Sequence, residues 1–196
     1  MKVFLVYCHP SEDSFTARVR DAFIQGLKQA GHSYEISNLY KMNFNAEFGE
    51  KDYLREAYYR EELKLDMDVM EEQKKIQSCD EIVFIYPVFW TEAPAKLVGW
   101  FDRVWTCGFA YGSNPKMKLL EKALFIVVTG RSLNDLRTIG QNSTMETVML
   151  GDRINNRAKE KQMIFLSGMS RGCMSLRNSN WDQYLKVAYD LGLNYY

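Results

Sequence analysis

Residues 82–112 read IVFIYPVFWTEAPAKLVGWFDRVWTCGFAYG, and this stretch decides the fold prediction. It begins with five consecutive apolar residues, which is typical of a central strand in a parallel sheet covered on both faces. Pro87 ends this strand, because proline cannot donate a hydrogen bond to a neighbouring strand. Pro94 stands where a helix can begin without losing a hydrogen bond. The stretch therefore predicts a buried strand, a loop and a helix in succession.

The helix after Pro94 is predicted to bury one apolar face, with Lys96 and Arg103 lying off that face. The apolar residues at helical spacing are Ala95, Leu97, Val98, Phe101, Val104 and Trp105. The loop 88–92 lies at the carboxyl end of the strand, where open α/β sheets bind their ligands. We therefore interpret Phe89 and Trp90 as contacts for a planar ring, and the aromatic residues of the helix as core.

A second candidate binding segment follows the first predicted strand, residues 2–8. A polar turn leads into a predicted helix that ends near Gly31, and such a helix start favours phosphate through unpaired N–H groups and the helix dipole. Ser11, Ser14 and Thr16 can add hydroxyl donors, although Ser14 is also a good N-cap and His9 a possible turn residue. The sequence contains neither GxGxxG nor GxxxxGK[ST], so it indicates neither a Rossmann dinucleotide turn nor a P-loop.

The remaining elements complete an alternation of strands and helices. Strands are predicted at 34–39, 123–128 and 163–166, and helices at 69–78 and 180–191. The strand 123–128 ends in a third loop, residues 129–134, at the same edge as the other two loops. Residues 47–68 are rich in charge and tyrosine and predict an excursion that contains a helix, with no clear functional signal. The chain predicts a single domain over residues 1–196.

Charge and cysteine content argue against several classes of protein. The chain has 25 Lys+Arg and 25 Asp+Glu, so no net charge attracts it to nucleic acid or to an anionic membrane. We find no signal peptide and no apolar run long enough to span a bilayer, and we expect a cytoplasmic protein. The four cysteines form no CxxC pair and predict free thiols without a metal site.

Three blocks, residues 86–90, 94–104 and 108–112, resemble the flavodoxin-like NAD(P)H:quinone reductases. That family includes mammalian quinone reductases and bacterial modulator-of-drug-activity proteins. The turn at His9 and the segment 38–45 continue the resemblance, which covers residues 1–130 well and the remainder loosely. It implies a flavodoxin-like α/β fold with a five-stranded parallel sheet in the order 2-1-3-4-5 and helices on both faces.

The resemblance implies a flavin cofactor, FAD with FMN as the alternative, and NADPH or NADH as electron donor. Residue reasoning and resemblance together predict the cofactor-binding residues His9, Ser14, Phe15, Thr16, Pro87, Val88, Phe89, Trp90, Thr91, Thr129, Gly130 and Arg131. The resemblance also implies that Phe109, Ala110 and Tyr111 line an acceptor pocket at a homodimer interface.

The chain departs from the family in the third loop. Arg131 replaces a second glycine, and Leu136 and Asn142 occupy the spacings of a Tyr–His pair that steadies negative charge on the reduced flavin. The catalytic residues are therefore unknown, and Arg131 is the candidate to supply the missing positive potential. The alternative is that Arg131 points to solvent or binds a carboxylate.

The predicted function is two-electron transfer from NAD(P)H to a quinone-like acceptor by a ping-pong route, since the cofactor carries the chemistry. Azo dyes and nitroaromatics are other acceptors that fit. The alternative is a non-enzymatic flavoprotein, either an electron carrier or a regulatory subunit of a potassium-efflux system. The balanced charge argues against an electron carrier, because such proteins usually dock through an acidic surface.

Overall fold

A five-stranded parallel sheet in the order β2-β1-β3-β4-β5 forms the centre of the computed structural model, which describes residues 1–194. The strands are β1 (Lys2–Tyr7), β2 (Ser33–Asn38), β3 (Glu81–Pro87), β4 (Leu120–Val128) and β5 (Ala158–Leu166). All four neighbouring pairs are parallel, so the carboxyl ends of the strands meet at one edge. The predicted fold and strand order are confirmed.

Helices cover both faces of the sheet. They are α1 (Phe15–Gln29), α2 (Glu50–Ala57), α3 (Met67–Ser78), α4 (Ala95–Val104), α5 (Leu133–Thr138), α6 (Gln141–Glu146) and α7 (Met174–Leu193), with a π-helical segment (Thr147–Ile154) after α6. Alternate residues of each central strand face opposite cores. In β1, Phe4 and Val6 pack into one core with α4, while Val3 and Leu5 pack into the other with α1 and α7.

Helices α1 and α7 cross in close contact at two glycines. A Cβ added to Gly26 would lie 2.2 Å from the carbonyl oxygen of Tyr189, and one added to Gly192 would lie 2.2 Å from that of Phe23. Backbone atoms at such distances cannot move aside as a flexible side chain can. The glycines therefore set how closely α7 packs on α1.

Arg103 corrects one expectation about α4. It was predicted to lie off the buried face, yet only 2% of it is exposed. Its guanidinium is 2.8 Å from Asp66 and 2.7 Å from Asp68, and it also donates to the carbonyl oxygen of Asn45 at 2.6 Å. These partners come from the excursion at residues 47–68 and its approach, so helical periodicity within α4 could not reveal them. The charge is buried because it is paired.

Several predicted boundaries were too narrow. The last strand was predicted at 163–166 but begins at Ala158. The prediction missed its first part because Lys159, Glu160 and Lys161 are polar residues exposed on an edge strand. The closing helix was predicted at 180–191 but begins at Met174. Helices α5 and α6 and the π-helical segment were not predicted. The helix expected within 47–68 is α2.

No helix among residues 1–194 has the length and apolar character that crossing a membrane requires.

Replacing Gly26 with Ala should lower the free energy of unfolding by about 1–3 kcal/mol, because the new methyl group would overlap the backbone of α7. The matched control is Gly151→Ala, since a Cβ at Gly151 would meet nothing within 4 Å. Chemical denaturation of both variants measures the difference. Equal stabilities of Gly26→Ala and the wild type would contradict the close helix contact.

Glu81, at the start of β3, generates a prediction about pH. Burial raises the pKa of its carboxyl group to about 7, and its Oε2 atom has no hydrogen-bond partner in residues 1–194. The pKa of Glu81 is higher in the folded than in the unfolded protein, so the carboxyl group stabilises the fold in its protonated form. This stabilisation is complete below about pH 4.3 and is lost as the pH rises through 7. Glu81→Gln should therefore raise the free energy of unfolding at pH 8 by about 1–2 kcal/mol.

The gain in Glu81→Gln should shrink as the pH falls toward 4, as measured by urea denaturation across that range. The control is Glu71→Gln, which makes the same substitution at an exposed position on α3. A gain of the same size at every pH would show that Glu81 is ionised throughout.

Candidate functional site

The loops after β1, β3 and β4 meet at the carboxyl edge of the sheet and enclose a cleft with two parts. The α1 pocket, of about 380 Å³, lies at the start of α1. The α6 pocket, of about 530 Å³, lies between the loop after β3 and helices α5 and α6. The two pockets share Val88, Thr129 and Gly130 in their walls.

All twelve residues predicted to bind the cofactor line this cleft. The α1 pocket contains His9, Ser14, Phe15, Thr16, Pro87, Val88, Phe89, Thr129 and Gly130, and the α6 pocket contains Val88, Trp90, Thr91, Thr129, Gly130 and Arg131. The structure thus brings together residues from three separate loops. Their role in binding a cofactor stays a prediction.

The start of α1 is arranged to receive hydrogen-bond acceptors. Ser14 caps the helix, and its Oγ atom accepts from the amide of Ala17 at 3.0 Å. The first amides of a helix, here those of Phe15 and Thr16, have no acceptor within the helix. The first turn carries no acidic side chain. The Ser14 hydroxyl thus serves as the N-cap acceptor, and its own proton can still be donated into the pocket.

His9 lies beside this helix start in its neutral form at pH 7. Its Nδ1 atom accepts a hydrogen bond from the amide of Ser11 at 2.9 Å. Burial lowers the pKa of the imidazole. A neutral histidine whose Nδ1 is an acceptor carries its proton on Nε2. His9 can therefore donate one hydrogen bond but does not contribute a positive charge.

Residues 89–92 form a tight turn with unusual backbone angles. The amide of Phe89 donates to the carbonyl of Glu92 at 2.8 Å, and the reverse bond measures 2.9 Å. The two central residues, Trp90 and Thr91, have φ angles of 53° and 67°. Two successive positive φ angles define a type I′ turn, which normally contains asparagine or glycine. A β-branched residue such as Thr91 is costly there, and backbone strain of this kind concentrates at functional sites.

One contact from α6 and one local hydrogen bond hold this strained turn in place. Gln141, the first residue of α6, donates from Nε2 to Oγ1 of Thr91 at 2.6 Å. The carboxylate of Glu92 accepts from the amide of Ala93 at 2.8 Å. The result of this conformation is that the Trp90 side chain is 100% exposed at the mouth of the cleft and Phe89 is 46% exposed. An indole in that position offers a free face for stacking.

The third loop is fixed through its backbone. The carbonyl of Arg131 accepts from the amide of Gly168 at 2.7 Å and from the hydroxyl of Thr129 at 3.1 Å. The amide of Met169 donates to the carbonyl of Thr129 at 2.9 Å. The guanidinium of Arg131 is exposed, and within residues 1–194 it makes no ion pair. Arg131 is thus held by its main chain while its charge stays available.

The positions of the missing Tyr–His pair are filled without charge. Leu136 is buried and lines the α6 pocket together with Gln141 and Met145. Asn142 does not line either pocket. Sequence spacing identified Leu136 and Asn142 but not Gln141, because only the folded chain shows that α6 reaches the turn at residues 89–92.

The sequence analysis also missed Arg171 and Arg177, which line the α1 pocket. The closing helix was predicted to begin at Asn180, and this left Arg177 in an unassigned loop. It lies instead in the first turn of α7. The missed signal is a pair of arginines in the loop and helix start that follow the last strand.

The three residues predicted for the acceptor pocket have different surroundings. Phe109 and Ala110 are only 8% and 6% exposed and belong to the core, whereas Tyr111 lines a third hollow of about 530 Å³, the Tyr111 cavity. The Tyr111 hydroxyl donates to Oε2 of Glu56 at 2.6 Å, and the amide of Cys107 donates to the same atom at 2.7 Å. Burial raises the pKa of Tyr111. Helix α2 of the excursion therefore fixes this loop.

Comparisons with known proteins agree with the fold. A family model described as the flavodoxin-like fold matches residues 1–153. The ribosyldihydronicotinamide dehydrogenase [quinone] of Rattus norvegicus is 36% identical over 123 residues, which are 56% of this chain and 53% of that protein. The NAD(P)H dehydrogenase [quinone] 1 of the same species is 33% identical over 123 residues. The chain spans about half the length of the curated relatives it matches.

A solved structure is similar over nearly the whole chain. The NAD(P)H:quinone oxidoreductase from Methanothermobacter marburgensis is 42% identical, with a TM-score of 0.91, and the match covers 99% of this chain and 96% of that one. An azoreductase from Bacillus anthracis, solved in complex with FMN, shares the fold with a TM-score of 0.66 at 18% identity. That match covers 97% of this chain and 99% of that one.

Proposed function

The chain belongs to the flavodoxin-like fold family, and we propose that it is a flavin-dependent oxidoreductase that transfers electrons from NAD(P)H to quinone-like acceptors. The observation that carries this proposal is the cleft, whose helix start, exposed indole and backbone-fixed third loop suit the phosphate and the ring of a flavin. The similarity to proteins named as quinone reductases supports the same reaction.

The residues of the cleft fit a flavin in both charge and shape. The helix start at Phe15 and Thr16, with the hydroxyl of Ser14 and the Nε2 donor of His9, would bind the phosphate. Phe89 and Trp90 would stack on the isoalloxazine ring, and backbone amides of residues 129–131 would bond its polar edge. We propose FAD as the cofactor, with FMN as the alternative and NADPH or NADH as electron donor.

When bound, the flavin supplies the two-electron redox chemistry. The protein's own contribution is binding and orientation. The strained turn holds Trp90 at the mouth of the cleft, where its indole would cover one face of the ring and leave the other face for donor and acceptor in turn. This geometry suits a ping-pong route, in which donor and acceptor use one site successively. We propose that the reaction takes place in the cytoplasm.

We propose that the protein acts as a homodimer whose interface includes the Tyr111 cavity. Tyr53, Tyr58 and Tyr59, on α2 and the residues that follow it, are 54%, 63% and 67% exposed, and the cavity wall includes Glu56 of the same helix. Phe109 and Ala110 would support the acceptor pocket from within the core, and Tyr111 would line it. Sedimentation at micromolar concentration should give a dimer, and a fully active monomer would contradict a shared site.

Steady-state oxidation of NADH or NADPH with menadione tests the function, measured on the flavin-loaded protein with no partner added. Turnover that depends on both flavin and menadione supports the enzyme. A flavin-loaded protein without turnover would favour the non-enzymatic alternative, in which the flavoprotein carries electrons or regulates a potassium-efflux system.

Replacing Trp90 with Ala should weaken flavin binding or shift the spectrum of the bound flavin while the fold is retained. The stacking surface of an aromatic pair contributes about 0.5–1.5 kcal/mol beyond area burial, which corresponds to a loss of affinity of up to about tenfold. Flavin fluorescence quenching and circular dichroism measure the two properties. Leu119→Ala is the control, since Leu119 is also exposed but directly precedes β4, at the opposite edge of the sheet from the cleft. Unchanged flavin affinity in folded Trp90→Ala protein would count against this placement of the ring.

Replacing Arg131 with Met keeps the backbone carbonyl that accepts the hydrogen bond from the amide of Gly168, but it removes the positive charge of the side chain. If the guanidinium faces the edge of the ring that gains negative charge on reduction, its loss should lower the flavin midpoint potential. The reductive half-reaction should slow by about tenfold, or roughly 1.4 kcal/mol.

A redox titration and stopped-flow reduction by NADPH measure both effects of Arg131→Met. Arg137→Met is the matched control, because Arg137 is exposed on α5 and does not line the cleft. If Arg131→Met and the control both match the wild type, Arg131 is not an electrostatic partner of the flavin.

A further inference from the structure

We propose that Glu56 binds the hydroxyl group of Tyr111 so that this group does not donate to the electron acceptor. The Tyr111 cavity would then recognise planar aromatic acceptors by their ring surface, whether or not they carry a carbonyl oxygen. This inference rests on the proposed function, because it specifies the class of acceptor that this cavity takes. Glu56 is a positioning residue here, since it acts through Tyr111.

The carboxylate of Glu56 receives three hydrogen bonds. Its Oε2 atom accepts from the Tyr111 hydroxyl at 2.6 Å and from the amide of Cys107 at 2.7 Å. Its Oε1 atom accepts from the guanidinium of Arg55. Only 12% of the Glu56 side chain and 7% of the Arg55 side chain are exposed. A carboxylate in this setting is a stronger hydrogen-bond acceptor than a neutral carbonyl oxygen, so a quinone competes poorly for the Tyr111 proton.

The Tyr111 hydroxyl also keeps its proton at neutral pH. Burial, together with the hydrogen bond to Glu56, raises the pKa of Tyr111. Both effects favour the neutral phenol. Tyr111 is therefore a poor source of a proton for a reduced acceptor, and its aromatic ring is the part that can serve the cavity.

The loop that carries Tyr111 has other bonds besides the one to its hydroxyl. Nη2 of Arg55 donates to the carbonyl of Cys107 at 3.1 Å. Nε of Arg157 donates to the carbonyl of Ala110 at 2.8 Å. Removing the hydroxyl alone should therefore leave the Tyr111 ring in the cavity wall.

Other donors of the cavity wall are also directed to groups within the chain. Nε1 of Trp105 donates to the carbonyl of Arg153 at 2.5 Å. Nη2 of Arg153 lies 4.0 Å from the carboxylate of Glu92, and its Nη1 atom is buried. Nη1 of Arg157 lies between 3.3 and 3.5 Å from three backbone carbonyl oxygens.

The rest of the wall supplies carboxylates and ring surface. Asp102 and Asp152 line the cavity, and ionised carboxylates accept hydrogen bonds but cannot donate one to a carbonyl oxygen. The aromatic residues of the wall are Phe48, Phe101, Trp105 and Tyr111. Stacking on such rings depends on the planar area of the bound molecule. We therefore expect that a carbonyl oxygen gives an acceptor no advantage in this cavity.

The test compares kcat/KM of the flavin-loaded protein for two planar acceptors. Menadione carries two carbonyl oxygens, and phenazine methosulfate carries none. In Tyr111→Phe the ratio of the two kcat/KM values should stay within about threefold of the wild-type ratio, because the hydroxyl bonds to neither acceptor. A larger fall in the ratio would show that the hydroxyl donates to menadione, and it would overturn the proposal.

Replacing Glu56 with Leu frees the Tyr111 hydroxyl. The ratio should then rise in favour of menadione by up to about tenfold, and the rise should be absent from the double variant Glu56→Leu/Tyr111→Phe. Disorder of the loop alone would lower both kcat/KM values without this dependence on the hydroxyl. If Glu56→Leu does not fold, Glu56→Gln keeps one acceptor oxygen and should give a smaller rise. An unchanged ratio in a folded Glu56 variant would overturn the role of Glu56.

Two further variants separate the ring from the hydroxyl. Tyr111→Leu removes the ring and should lower both kcat/KM values by similar factors. Tyr34→Phe is the matched control, because it makes the same substitution as Tyr111→Phe on β2 and outside the cavity. It should leave both values unchanged.

Calorimetric titration distinguishes failure of this inference from failure of the proposed function. If the wild type reduces neither compound, the proposed function fails, and dissociation constants for menadione and phenazine methosulfate replace kcat/KM. Binding of both compounds with the expected ratios in the Tyr111 and Glu56 variants would support the recognition mode. Absence of binding, or menadione binding that weakens by more than about threefold in Tyr111→Phe alone, would overturn it.

Discussion

The structure depends on one constraint, that parallel strands all end at the same edge of their sheet. Because β1, β3 and β4 are adjacent and parallel, the turns that follow them are brought side by side however far apart they are in sequence. Each turn then contributes one property to the cleft: unpaired amides from the first, an exposed indole from the second and a fixed backbone from the third. Buried apolar strands give this edge its rigidity.

The parts of this arrangement that local patterns encode could be predicted from the sequence. Apolar runs such as Ile82–Tyr86 identify central strands, and the order of turns and helix starts identifies the edge of the sheet at which the three loops meet. Where polar side chains occupy an edge strand, as in β5, the pattern fails, because one side of such a strand contacts water. The same limit explains why the first turn of α7, with its polar residues, was left unassigned.

Contacts between distant segments are the part that the sequence does not reveal. Arg103 is buried because three aspartates approach it from another segment, at 3.8 Å or less, and no pattern within α4 indicates them. Gln141 supports Thr91 across fifty positions of chain. The backbone strain at Trp90 and Thr91 is likewise invisible in the sequence, since neither residue type favours a left-handed conformation. The buried charge, the long-range hydrogen bond and the strained turn all depend on contacts that exist only in the folded chain.

The interlocked glycines of α1 and α7 have a consequence for the order of events during synthesis. Helix α7 is made after every other element described, and the residues at its start complete the wall of the α1 pocket. Until α7 has left the ribosome and settled against Gly26, one side of that pocket is missing and the face of α1 that it covers is open to water. A nascent chain stalled before residue 174 therefore has the sheet and α1 but lacks the residues that close this side of the α1 pocket.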